Sequence, residues 1–146
     1  MIYNEEIRDL FTVPKDYFLA HCISADFALG AGIAKEFKNR GVRKQLKYHY
    51  TFGKIGDTLV TYATDWIGEF NLVTKDRYYE KPTLKSLTKA LISMKNIILT
   101  YPVEQHKIAM PQIGCGLDRL KWEDVSEIIK DIFKDTNVEI LVCKLR

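Results

Sequence analysis

Apolar residues in this chain occur in two patterns that alternate along it. One is a short continuous run, as in Tyr17-Phe18-Leu19-Ala20-His21-Cys22-Ile23, Thr58-Leu59-Val60-Thr61-Tyr62-Ala63, Phe70-Asn71-Leu72-Val73-Thr74, Lys107-Ile108-Ala109-Met110 and Val138-Glu139-Ile140-Leu141-Val142-Cys143. Runs of this length, bounded by turn residues, predict buried strands, with a turn around Gly68 between the second and third. The other pattern has a period near 3.6. Val125, Ile128, Ile129, Ile132 and Phe133 make one apolar stripe, with Glu123 and Asp124 in its first turn and Lys130 and Lys134 near its end, as the helix dipole favours. Leu84, Leu87, Leu91, Met94 and Ile98 make a second, starting just after Pro82. A third helix is expected from Gly32 to Arg40, ended by Gly41, with a further one over Val42 to Tyr50. The stripes are core packing. Alternation of strand and helix implies βα units and a largely parallel sheet.

Composition narrows the class. At 146 residues and 47% hydrophobic, the chain fits one domain, 1–146, with material for a real core. The formal charge of +3 comes from scattered lysines, without a polybasic arm. Cys22, Cys115 and Cys143 form no CxxC and are odd in number, so neither a disulfide framework nor a metal site is expected. The N-terminus lacks an apolar signal core, and no run approaches the ~20 apolar residues of a membrane span. A cytoplasmic, monomeric protein with no membrane contact is the expectation.

Candidate chemistry lies in two glycine-containing loops, each following a predicted strand and leading into a predicted helix. The first is Ser24-Ala25-Asp26-Phe27-Ala28-Leu29-Gly30-Ala31-Gly32-Ile33-Ala34 and the second Pro111-Gln112-Ile113-Gly114-Cys115-Gly116-Leu117-Asp118. In a parallel sheet both would lie at the carboxyl edge, where ligands bind in open α/β folds. Glycines there let backbone N–H groups approach a phosphate, and a helix start adds positive potential. Two such loops over one crevice suit a diphosphate, although glycines also make ordinary turns. Neither a GxGxxG fingerprint nor a GxxxxGK[ST] loop is present.

The segments His21-Cys22-Ile23-Ser24, Gly30-Ala31-Gly32-Ile33-Ala34 and Pro111-Gln112-Ile113-Gly114-Cys115-Gly116-Leu117-Asp118-Arg119-Leu120 resemble the macrodomain family, in the branch typified by the terminal ADP-ribose protein glycohydrolase. Leu72-Val73-Thr74-Lys75, Lys81-Pro82-Thr83, Trp122-Glu123 and Val125-Ser126 match the same branch, in order and spacing, from about Asp9 onward. The resemblance implies a three-layer α/β/α fold with a mixed, largely parallel sheet and a deep ADP-ribose cleft. It makes Asp9, in Asp9-Leu10-Phe11, the counterpart of an aspartate that holds the adenine amino group near the end of the first strand. Arg8 stands where the family commonly has Gly, so the register of that strand is left open. The Asn-containing loop and Gly-Gly-Gly motif of another macrodomain branch are absent.

In place of that loop, this branch is similar in using a lysine and an aspartate, matched by Lys75 and Asp118. The resemblance implies that Lys75 attacks the distal ribose C1″ and that Asp118 serves as general acid and base. A nucleophilic lysine must first lose its proton, which burial or a nearby cation favours. Backbone amides of Gly30, Ala31, Gly32, Ile33 and Ala34, and of Gly114, Cys115 and Gly116, would hold the diphosphate, with Leu10, Pro111, Ile113 and Leu117 also contacting ADP-ribose. Ser24 could bond the distal ribose; His21 either joins it or simply packs at a strand end. ADP-ribose is ligand and product, and no cofactor is needed. The activity implied is removal of ADP-ribose from acidic side chains or from O-acetyl-ADP-ribose. The alternatives are removal from thymidine in DNA, so that the partner is an ADP-ribosylated protein or ADP-ribosylated DNA, and an ADP-ribose reader without catalysis.

Overall fold

The computed structural model describes residues 1–102, 106–116 and 119–145. Among them six strands form one sheet: β1 (Ile2–Ile7), β2 (Phe18–Ser24), β3 (Thr58–Thr61), β4 (Gly68–Lys75), β5 (Lys107–Met110) and β6 (Glu139–Lys144), in the spatial order β1-β6-β5-β2-β4-β3. Every neighbouring pair is parallel except β3 with β4. Four helices cover the sheet: α1 (Gly32–Asn39), α2 (Val42–His49), α3 (Leu84–Ile98) and α4 (Trp122–Phe133).

Two apolar layers explain why the inner strands read as unbroken runs. Phe18 and Ala20 of β2 join Phe70, Leu72, Ile108, Met110 and Ile140 against α3 and α4. Leu19 and Ile23 of β2 point the other way, with Val73, Ala109 and Leu141, against Phe37 of α1 and Val42 and Leu46 of α2. A strand buried on both faces has no solvent side on which to place polar residues. The result is the expected three-layer α/β/α arrangement with a mixed, largely parallel sheet.

The helices start and stop where the sequence places them. Thr83 caps α3 through a reciprocal pair of bonds: its side chain accepts from the Ser86 N–H, and the Ser86 hydroxyl accepts from the Thr83 N–H. Gly41, at φ 94, ends α1 and begins α2, a conformation that strains any residue with a Cβ.

Two details differ from expectation. Gly68 does not turn the chain but opens β4, and residues 62–67 make the connection. A Cβ there would stand 3.0 Å from Tyr62 Cδ1 and 3.1 Å from the Thr61 carbonyl, so the glycine permits close strand packing. The apolar pattern gave no sign of β1, which is an exposed edge strand carrying Asn4, Glu5 and Glu6. Glu5 fastens it: Tyr3 Oη donates at 2.6 Å, Trp122 Nε1 at 3.1 Å, and Lys144 Nζ lies 3.3 Å away. The Tyr3 bond leads in holding the Glu5 carboxyl below its ordinary pKa, against a partial burial that works the other way.

Candidate functional site

Because β5, β2 and β4 are adjacent and parallel, the segments leaving them share one edge of the sheet. Lys75 is the last residue of β4 and pairs with Ser24, the last of β2. The Ala25 N–H donates to the Lys75 carbonyl at 2.8 Å. The lysine therefore stands at the head of the first glycine loop, and the second loop leaves β5 on the opposite side of β2. Asp9 lies at the same edge, two residues beyond the end of β1. Three strand spacings separate β1 from β2 and four separate it from β4, roughly 14 and 19 Å. An extended, two-headed ligand could span that edge.

The first loop holds backbone strain. Phe27 (φ 55) and Leu29 (φ 43) adopt left-handed conformations that bulky residues rarely take. Burial of both side chains in the core holds them there, and Arg43 Nε donates to the Phe27 carbonyl at 2.8 Å. Asp26 ties the turn together: its carboxylate accepts from Ser24 Oγ at 2.5 Å, the Ala28 N–H at 3.2 Å and the Tyr78 N–H at 3.0 Å. Partial burial opposes its charge, but these bonds, with Arg77 nearby, outweigh it and hold Asp26 below its ordinary pKa. The Tyr78 bond also links the segment after Lys75 to the glycine loop. Beyond this knot Gly30, Ala31 and Gly32 are exposed, a Cβ on Gly30 would meet nothing, and Ile33 and Ala34 are half-buried as α1 begins. Gly32 enters the helix at φ 59.

The second loop folds back on itself. Gly114 (φ 75) lies under Leu120, whose N–H donates to the Gly114 carbonyl at 2.7 Å. Ile113 is buried, Pro111 and Cys115 are half-buried, and Gly116 is exposed. The Cys115 N–H donates to Gln112 at 3.3 Å and its thiol to the Ile113 carbonyl at 3.4 Å. Arg119, at φ 63, returns a hydrogen bond to Gly116 at 3.3 Å. Leu117 and Asp118 lie outside the described residues.

Not every expected contact residue reaches the surface of this edge. Leu10 is buried in the core beside the Asp9-capped turn, where Asp9 accepts the Phe11 N–H at 2.9 Å. His21 is wholly buried and stacks on Phe37, with ring centroids 3.8 Å apart. Its Nε2 meets Asn71 Oδ1 at 2.5 Å. Asn71 Nδ2 donates to the Leu59 carbonyl and to Thr61 Oγ1, both at 3.0 Å, which assigns the proton in the His21 contact to Nε2. Thr61 in turn donates to Glu69 Oε1 at 2.8 Å, and Thr64 Oγ1 to Glu69 Oε2 at 2.7 Å. Burial pushes the His21 pKa down to about 4, partly offset by the Asn71 bond. His21 thus supports the cleft from beneath.

Two features escaped the sequence reading. Asp26 is one, a loop aspartate whose Ser-x-Asp spacing was the only available signal. The other is a cavity of about 240 Å³ on the α3 side of Lys75, lined by Thr74, Lys75, Lys81, Lys85 and Lys89 among others. Among the described residues, no three His, Cys, Asp or Glu side chains gather as a metal-binding group.

Known proteins resemble this chain in both sequence and shape, although no protein-family model matches it. It is 42% identical over 139 residues to the ADP-ribose glycohydrolase OARD1 of Homo sapiens, covering 94% of this chain and 88% of that protein. The macrodomain of Mycobacterium tuberculosis DarG superposes with a TM-score of 0.82 at 21% identity, over 99% of this chain and 98% of that one. Thermosipho africanus DarTG, solved in complex with ADP-ribose, superposes with a TM-score of 0.64 at 18% identity, over 91% of this chain and 39% of that one.

Proposed function

The chain belongs to the macrodomain family, in the branch of the terminal ADP-ribose protein glycohydrolase, and from that premise we propose that it is an ADP-ribosyl hydrolase acting on ester-linked ADP-ribose at acidic side chains. One observation carries the reading furthest. Lys75 closes β4 directly beside Ser24, so the amine this chemistry needs stands at the mouth of the glycine loop that would hold the diphosphate.

In this reading the adenine lies toward Asp9 and the diphosphate crosses Gly30–Ala34 and the Pro111–Gly116 turn. The distal ribose then comes over the end of β4. Unprotonated Lys75 Nζ attacks C1″; the C1″–O bond to the glutamate breaks, and that carboxylate departs with the bonding pair. Nζ sheds a proton to water, and opening of the ribose ring then gives a protonated imine between C1″ and Nζ. Asp118 delivers the proton to the ring oxygen and later takes one from the water that adds to C1″. Collapse of the resulting carbinolamine returns the amine of Lys75 and releases ADP-ribose. Ser24, bonded to Asp26, holds the distal ribose in this reading, and no cofactor enters. The reading keeps the protein a cytoplasmic monomer; among the described residues no helix is long and apolar enough to cross a membrane.

Release of ADP-ribose from a glutamate-modified protein tests the assignment, run alongside ADP-ribose binding by calorimetry. Wild type should release it. Lys75→Ala should abolish release and Asp118→Ala should slow it by about 10²–10⁴-fold, the usual range for a general acid–base group, with binding retained by at least one variant. Tight binding by wild type without release from either protein or thymidine-modified DNA would make the chain a reader.

A further inference from the structure

The cavity beside Lys75 lies where the ADP-ribose would not. Going along the sheet edge from Lys75 toward β2 and β5 leads to the glycine loops; going toward the start of α3 leads into the cavity. Lys75, Lys81, Lys85 and Lys89 border the cavity with Asp76 and Glu80; Glu80 Oε1 accepts the Arg77 N–H at 2.7 Å, and Lys75 and Lys81 have interactions of their own.

Three observations mark it as a place for an anion. Lys85 and Lys89 are four residues apart on α3, a like-charge spacing that is unfavourable unless something negative offsets it. The capping box engages the Thr83 and Ser86 amides, while the Leu84 and Lys85 amides of the first turn have no carbonyl within the helix to meet. Thr74 lines the cavity at 2% exposure, and its buried hydroxyl has no hydrogen-bond partner among the described residues. An orphaned buried hydroxyl is unfavourable until a ligand bonds it. The Lys89 stem is held in place by Gly56, where a Cβ would stand 3.1 Å from Lys89 Cβ.

We propose that this cavity is a subsite for the acidic polypeptide flanking the ADP-ribosylated side chain, with Lys85 and Lys89 facing its carboxylates and Thr74 at the floor. The proposal rests on the hydrolase reading above. It makes the enzyme selective for modification sites set in acidic sequence. Acidic peptide is favoured because the modified residue in that reading is itself acidic and the cavity has the volume of a few carboxylate side chains. The exposed Tyr78 and Tyr79 nearby are the one feature that would suit stacked bases instead.

Two glutamate-modified peptides, one with acidic and one with neutral flanks, test it, together with an ADP-ribosylated oligonucleotide. Wild type should prefer the acidic-flanked peptide by about tenfold in kcat/KM at low salt, carried by KM and shrinking as salt rises. Lys85→Glu/Lys89→Glu should remove that preference while the affinity for free ADP-ribose stays the same, which also reports an intact fold. Thr74→Val should reduce the preference a few-fold without lowering the melting temperature. Equal cleavage of both peptides, or a preference that survives charge reversal, overturns the subsite and leaves the hydrolase standing. Cleavage of neither peptide removes the hydrolase reading and the subsite with it. Dependence on Lys85 and Lys89 for the oligonucleotide alone overturns the acidic peptide in favour of a phosphodiester.

Discussion

The two faces of the sheet are built by different rules. On the α3/α4 face apolar side chains dominate, from Phe18 and Phe70 to Phe133 and Val142, and the buried hydroxyls of Thr58 and Ser86 bond to backbone carbonyls, Thr58 to Ala90 and Ser86 to Thr74, both at 2.7 Å. The α1/α2 face also has an apolar cluster, yet a polar chain runs through it: His21 donates to Asn71, Asn71 to Thr61, and Thr61 to Glu69, all buried. The first face is held chiefly by apolar area. The second lies under the strained glycine loop, and its directed hydrogen bonds fix the relative positions of β2, β3 and β4 where Ser24 and Lys75 meet. Hydrophobic packing is non-directional; a donor chain allows one arrangement. That difference suggests why the polar residues lie on the face that supports the site.

Substitutions should separate the two faces by size and by pH. Phe133→Ala, on the apolar face, should destabilise by about 3–5 kcal/mol through lost transfer energy and cavity formation, equally at pH 7 and pH 5 in denaturant titrations. On the polar face, acid itself should act. Between pH 6.5 and about 4 the unfolded chain takes up a proton on His21 that the folded chain refuses, so this stability is complete above pH 6.5 and declines as pH falls through that window, by roughly 3 kcal/mol in all. His21→Phe should flatten that limb. An acid limb unchanged in the variant would break the comparison. Asn71→Leu, which leaves the His21 N–H and the Thr61 oxygen short of partners, should cost about 1–3 kcal/mol. Smallest of all, Thr74→Val should leave stability unchanged or raise it by up to about 1 kcal/mol, since it deletes a buried hydroxyl that bonds to no described residue.

The apolar face was legible in the sequence because burial leaves a periodic trace: Leu87, Leu91, Met94 and Ile98 can be read as a helix without knowing what they touch. The glycine loops were legible for a related reason, as interruptions between a strand run and a helix stripe. Lys75 was legible only through the family resemblance, since one lysine after a strand carries no pattern of its own. The polar face was not legible. His21, Asn71 and Glu69 sit within strand runs, and their partnership depends on β2 lying next to β4 and on the register between them, which no local pattern encodes. The cavity lysines were hidden for the same reason: Lys85 and Lys89 read as the solvated side of α3 until the end of β4 is placed against the start of that helix. β1 escaped because an exposed edge strand has little apolar content to betray it.

The claim that matters most is that Lys75 forms a covalent bond to the sugar. Borohydride added during turnover of a glutamate-modified substrate reduces an imine to a stable amine, and peptide mapping by mass spectrometry locates it. An ADP-ribose adduct on Lys75, missing from Lys75→Arg, is the predicted result. Continued ADP-ribose release under those conditions with Lys75 unmodified would contradict the account.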